Sequence, residues 1–373
     1  MNAEELHKSA LVFDAHCDSI LNVMRHDYEF CDRHTEHHVD IPRLKEGGID
    51  VEGFAIWVDP RKYKEMQSIE VFKTLDLLED QANKNPDDIS IVTTADEARK
   101  TVSEGKIGML IGLEGGHAIE DSLELVHQYY SRGIRYITLT WMFSNNWADS
   151  STDKSRWGGL NPLGVSVVKE MNRIGMMVDL SHTSDETVLD VFEVSEKPVI
   201  MTHSCAKSLC DHPRNVSDDL LKKLAQNGGV MGVNFYLGYL VEELVKATEP
   251  LEKIYNKKKQ KIIDKYGKNT EQTKTELKKL YDSGNKAWNS RPGLDSTCKI
   301  IVDHIDHVVN TAGIDHVGLG SDFDGISLLP VDLKDASEVP NITKELVARG
   351  YSETDIKKIL GENFMRVFKE VCG

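Results

Sequence analysis

The chain has 373 residues, 40% hydrophobic and 28% charged, the balance of a soluble globular protein long enough for one large domain or two average ones. Its 45 basic and 61 acidic residues leave a formal charge of −16, which argues against a nucleic-acid-binding surface and against attraction to an anionic membrane. No run approaches the ~18 apolar residues of a membrane span. The start, MNAEELHKSA, lacks the basic residues and apolar core of a secretion signal, and the six cysteines (17, 31, 205, 210, 298, 372) form no CxxC pair; the expectation is a reduced, cytoplasmic protein.

Eight short apolar runs follow one another along the chain. They are LVFDAHCD (11–18), DVEGFAIWV (50–58), IGMLIGLEGG (107–116), YITLTW (136–141), MMVDLSHT (176–183), PVIMTHS (198–204), GGVMGVNF (228–235) and HVGLGSDF (316–323). Most are continuously apolar, not alternating, as strands buried on both faces are. Helix punctuation lies between them. Asn161-Pro162 opens a helical stretch that stops at Gly175; Ser217, followed by Asp218 and Asp219, is placed as an N-cap, with Gly228 past the end. Eight strands alternating with helices predict a (β/α)8 barrel. A doubly wound open sheet is the competing arrangement, but it would not bring the ends of the first, third, fifth, sixth and eighth runs to one point. No repeat or linker marks a second domain, so residues 1–373 are taken as a single barrel domain. Residues 239–292, rich in Lys, Glu and Leu, form a charged helical insertion between the seventh and eighth strands. It reads either as a solvated hairpin on the barrel's outside or as a lid or dimer element over the site.

The strand ends carry the chemistry. His16 and Asp18, two apart, would leave the first strand together, an imidazole and a carboxylate suited to a borderline metal such as zinc. The third strand ends in Gly112-Leu113-Glu114-Gly115-Gly116, where glycines allow close approach to the carboxylate. The fifth ends in Asp179-Leu180-Ser181-His182 and the sixth in Met201-Thr202-His203-Ser204. A lone strand-end histidine is more often structural than a ligand. Here three imidazoles and two carboxylates gather at one rim, enough for two metals sharing a carboxylate and ample for one. After the eighth strand, Asp322 and Asp324 leave one carboxylate for the barrel mouth and one for the turn at Gly325. Arg214, in the loop Asp211-His212-Pro213-Arg214-Asn215, sits on the same face, and arginine grips carboxylates bidentately.

This set of motifs, His-x-Asp, GLEGG, VDLSH, THS, HPRN and G-x-SDFDG in that order, resembles the membrane (renal) dipeptidase family, the M19 zinc peptidases. The resemblance runs from about residue 10 to the closing GENFMRVF (361–368) and points to the soluble bacterial branch. It implies two zinc ions per chain, one held by His16, Asp18 and Glu114, the other by Glu114, His182 and His203, with Glu114 bridging. It further implies that Arg214 binds the C-terminal carboxylate of a dipeptide, that Asp322 handles protons near the bridging water and the substrate amine, and that the protein is a homodimer. One position departs from the pattern. Many members read TLTH at the fourth strand end, with the histidine on the substrate, whereas this chain reads Thr138-Leu139-Thr140-Trp141. The Trp141 indole N–H can donate one hydrogen bond but cannot act as an imidazolium. Two other readings stay open: another metal-dependent amide hydrolase or deaminase of the same barrel type, and a non-catalytic metal-binding barrel acting as a binding module. The sequence leaves open which dipeptides are preferred and whether D-residues are accepted at the C-terminal position.

Overall fold

The computed structural model describes residues 2–25, 28–64, 66–268 and 270–373. Among the described residues there are nine strands: β1 (Phe13–Cys17), β2 (Val51–Trp57), β3 (Ile89–Ile91), β4 (Ile107–Glu114), β5 (Ile134–Thr138), β6 (Met177–Asp179), β7 (Ile200–Ser204), β8 (Val230–Val233) and β9 (Val317–Leu319). All pairings between them are parallel, in the order β2-β1-β9-β8-β7-β6-β5-β4-β3. A further ladder from Val51↔Gly108 to Trp57↔Glu114 joins β2 to β4 and closes eight strands into a (β/α)8 barrel. The ninth, β3, pairs with the first residues of β4 from outside that circuit. At three residues it is too short to show any period, and it does not figure among the eight runs of the sequence.

The helix punctuation works as expected at one site and in part at the other. The Asn161 side chain accepts from the amides of Leu163 and Gly164, Pro162 occupies the first turn, and Gly175 ends the Pro162–Ile174 helix at φ 81°. Ser217 does precede the Asp218–Asn227 helix, but its hydroxyl makes no capping bond; Gly228, at φ 82°, supplies the left-handed stop.

The apolar interior explains which end of the barrel is free for chemistry. Phe13, Val51, Met177, Ile200 and Val230, each the first residue of its strand, pack in one cluster with Phe364, Met365, Val367 and Phe368 of the C-terminal helix Asn363–Cys372. That helix seals the end where the strands begin, and side chains at the other end are left to form a site.

Between β8 and β9 the charged segment folds into two helices, Glu242–Tyr266 and Glu271–Asn289, packed on each other. Leu244 alone is buried in the first and Thr273 alone in the second. The hairpin is therefore mostly solvated, as its charge pattern suggests.

Candidate metal centre

The ends of β1, β4 and β6 and the segment after β9 converge on a cavity of about 460 Å³. Its walls include Asp18, Glu114, His182 and Asp322, with Trp57 and Trp141 on the rim together with Tyr236 and Tyr239. No described residue of the helical hairpin lines it.

Glu114 stands at the centre. Its Oε1 lies 2.9 Å from His182 Nε2 and 3.6 Å from His203 Nε2, while its Oε2 lies 4.0 Å from His16 Nε2. The two oxygens of one carboxylate thus face different imidazoles. His16 Nε2 is also 3.8 Å from Asp18 Oδ2. Ligand-type atoms of His16, Asp18 and Asp322 fall within 4.8 Å of one another, as do those of His16, Glu114 and His203.

Simple strand alternation does not account for the first pair. β1 ends at Cys17 with a register irregularity after Asp14, and Asp18 lies just beyond it. Two backbone bonds set the geometry instead: Asp18 N–H to Phe323 C=O at 2.8 Å and Asp322 N–H to His16 C=O at 3.0 Å. They bring the β1 end and the segment after β9 side by side. His182 and Asp322 both adopt left-handed backbone, φ 69° and 62°. That conformation is costly for residues with a side chain and tends to occur where function demands it.

Deeper hydrogen bonds orient His203. Asp179 accepts from the hydroxyls of Thr138 (2.5 Å) and Thr202 (2.7 Å) and from the amides of Thr202 and Ser181. Having donated its proton to Asp179, the Thr202 hydroxyl can only accept from His203 Nδ1, 2.8 Å away. The proton of His203 is thereby placed on Nδ1, and the lone pair of Nε2 faces Glu114 and His182. On the far side, Asn234 donates to Asp322 Oδ2 at 2.8 Å. Asp324 is the turn carboxylate, accepting from the Ser19 hydroxyl and the His38 amide.

Electrostatics follow from burial. Desolvation lifts Glu114 well above the usual carboxylate range, reinforced by Asp18, and desolvation carries Asp322 up to about 7 against the pull of His16. Burial opposes the charge on His16, but Asp18, Glu114 and Asp322 overcome it and raise it to about 9. Burial, with Arg214 and His16, holds His182 and His203 well below the ordinary imidazole range. The signs agree at alkaline pH. Above pH 6.5 the latter two histidines are neutral both folded and unfolded. Glu114, Asp322 and His16 titrate together, and the folded cluster retains protons that the unfolded chain has released. Metal-free protein is therefore expected to lose thermal stability steadily from pH 6.5 to about 9. A melting series in chelator checks this, and a flat profile would contradict the desolvation described here.

The remaining expected residues differ in placement. Trp141, half-buried, stacks obliquely on Trp57 with ring centroids 4.7 Å apart and lines the cavity. Arg214 is 3% exposed and does not line it. It lies behind His203, donating to that residue's carbonyl at 2.9 Å, with its guanidinium 5.4 Å from the Tyr239 ring centre. It forms no ion pair, and its Nε has no hydrogen-bond partner among the described residues. Asn234, the Asp179–Thr202 pair, Trp57 and the two tyrosines were not singled out from the sequence. Of these, Asn234 carried a signal, as the one polar side chain in the GGVMGVNF run, next to its last residue.

The donor set suits a metal. His16 Nδ1 and Nε2 and His182 Nδ1 are buried without hydrogen-bond partners among the described residues, and His182 Nε2 and His203 Nε2 converge to 2.9 Å. Nitrogen and carboxylate donors crowded this closely are what a divalent cation of zinc type requires.

A (β/α)8 barrel with imidazoles and carboxylates gathered at its strand ends defines the metal-dependent hydrolase class of barrels. Within it, the sequence pattern of the membrane dipeptidases, peptidase family M19, matches residues 1–372, and the chain belongs to that family. It is 31% identical over 343 residues to Dipeptidase 3 of Rattus norvegicus, covering 90% of this chain and 59% of that protein, so it spans about three-fifths of that relative's length. An uncharacterized dipeptidase of Schizosaccharomyces pombe is 31% identical, with 98% of this chain and 82% of the relative covered. Among solved structures, the probable dipeptidase PvdM of Pseudomonas aeruginosa superposes with a TM-score of 0.82 at 26% identity, over 99% of this chain and 97% of the other. A metallo peptidase of Rhodobacter sphaeroides, liganded with a phosphinate mimic of L-Ala-D-Ala, shares the fold at a TM-score of 0.78 and 23% identity, over 97% and 99%. No helix among the described residues is long and apolar enough to cross a membrane.

Proposed function

We propose that the protein is a binuclear zinc dipeptidase, and the observation that carries this reading is the division of Glu114 between His16 on one side and His182 and His203 on the other. His16, Asp18 and Glu114 would hold one zinc, and Glu114, His182 and His203 the second. Bound metals of this kind polarise a scissile carbonyl and make water nucleophilic near neutral pH.

The chain's own residues supply the rest. Asp322, buried and tethered by Asn234, takes the proton from the attacking water and returns it to the leaving amine. Asn234 keeps one oxygen occupied and leaves the other for that exchange. Arg214 is a buried cation with no ion-pair partner among the described residues, an arrangement that disfavours the empty state and favours a substrate carboxylate beside it. A free carboxylate one residue past the scissile bond is what a dipeptide offers and a protein does not. Trp57 and Trp141 form an apolar wall, and the Trp141 indole N–H is the donor available where many relatives have histidine. The reading extends to a cytoplasmic homodimer that accepts D-residues at the C-terminal position.

The test is metal analysis of purified protein together with hydrolysis of a panel of L,L- and L,D-dipeptides. Two metals per chain, with turnover abolished by chelator and restored by zinc, would support the proposal; metal without dipeptide turnover would favour another amide substrate. Arg214→Ala is expected to raise KM for dipeptides at least tenfold with a smaller change in kcat, since a charge-assisted bidentate contact contributes on the order of 1.5–3 kcal/mol. An unchanged KM would remove Arg214 from the site.

A further inference from the structure

Besides Arg214, which lies behind His203 and outside the cavity lining, one arginine lines the cavity itself: Arg25. The helix Ile20–Arg25 begins directly after Asp18, with the Leu21 amide bonded to the Asp18 carbonyl at 2.9 Å. Leu21 and Arg25 are four residues apart and share one helical face, and both line the cavity. The seven-residue step from Asp18 puts Arg25 about 10 Å along the helix from the ligand cluster, at about 1.5 Å per residue. Its side chain is exposed and makes no ion pair or hydrogen bond among the described residues.

The charge inventory of the cavity singles it out. Asp18 and Glu114 belong to the ligand cluster, Asp322 is tethered by Asn234, and Asp324 is occupied by Ser19 and His38. His182 belongs to the ligand cluster as well, its Nε2 2.9 Å from Glu114 Oε1. Among the described residues that line the cavity, Arg25 is therefore the free cation. Arg214, behind His203, is placed for the carboxylate nearest the scissile bond; an arginine further out meets a different part of the ligand.

We propose that Arg25 is a specificity residue that selects dipeptides carrying an additional carboxylate, an aspartyl or glutamyl side chain, over neutral ones. This rests on the dipeptidase reading. Its physical basis is the one that makes arginine the usual partner of carboxylates: a permanent charge and a planar fork of donors that matches the two oxygens. Exposure of the pair to water makes it sensitive to salt.

The experiment compares charge at constant shape. Metal-loaded, full-length protein is assayed on Ala-Glu against Ala-Gln and on Glu-Ala against Gln-Ala. Wild type is expected to favour the glutamyl member of at least one pair about tenfold in kcat/KM, with the preference shrinking as salt is raised. Arg25→Gln should remove that preference, and Arg25→Glu should reverse it. Equal rates on both members by wild type, or a preference that survives Arg25→Gln, would overturn the proposal while leaving dipeptidase activity standing. If no dipeptide is hydrolysed, the dipeptidase reading falls separately. Equilibrium binding of the same peptides, followed by the fluorescence of Trp57 and Trp141, then decides. A glutamyl-over-glutaminyl difference lost in Arg25→Gln sustains the inference, and equal binding ends it.

Discussion

Glu114→Gln is expected to abolish hydrolysis, with kcat/KM falling on the order of 10³-fold or more, as loss of several kcal/mol of metal-derived stabilisation implies. The substitution preserves shape and removes charge. Both halves of the cluster would lose their shared anionic ligand, since Oε1 faces His182 and His203 while Oε2 faces His16. Metal content should fall below that of wild type in the same preparation. A second readout separates this from misfolding. Burial makes the Glu114 carboxylate costly in the metal-free state. Chelated Glu114→Gln protein should therefore melt at or above chelated wild type at alkaline pH. Retained metal and activity would refute the bridging assignment.

Asp322→Asn comes next in expected size. A positioned acid–base group contributes typically 10²–10⁴-fold, so kcat should fall within about that range while KM changes little. Asparagine fits the same space and can turn its carbonyl oxygen toward the Asn234 amide, which bonds Asp322 Oδ2 at 2.8 Å. The pH profile supplies the sign. Metal-free Asp322 sits near 7, and cations beside it favour its charged form, so in the loaded enzyme activity should rise with pH through a value below 7. The variant should lack that acidic limb. If it instead loses metal, Asp322 is a ligand and not the proton carrier, an outcome its closeness to His16 and Asp18 makes distinguishable by metal analysis.

Much of the site was legible in the sequence because each ligand-type residue terminates an apolar run. Glu114 closes β4, His203 lies in β7, and His182 follows β6 by three residues, so barrel closure alone brings them to one rim. The pairing of His16 with Asp18 was legible for the wrong local reason. The strand stops between them, and bonds from residues 322 and 323, distant in sequence, hold them together. What stayed hidden depends on side chains from separate strands meeting. Thr138, Asp179 and Thr202 come from three neighbouring strands, and nothing in any one of them announces the shared hydrogen bonds. Arg25 lies in a six-residue helix whose orientation no periodicity could supply. Arg214 was singled out by its motif, but its position behind His203 is a matter of packing with Tyr239.

The joining of the first strand to the last has a consequence for biosynthesis. Asp14 pairs with Leu319, and His16 and Asp18 are clasped by residues 322 and 323, so this half of the centre spans more than three hundred residues of chain. Contacts this distant in sequence close late in folding. A ribosome must have released more than three hundred residues beyond His16 before the segment that clasps His16 and Asp18 is available, and the helix Asn363–Cys372 that seals the barrel's other end emerges later still. If metal is held as proposed, its half of the centre at His16 and Asp18 is ordered only after that segment has emerged, because until then the two backbone bonds that fix the pair are missing.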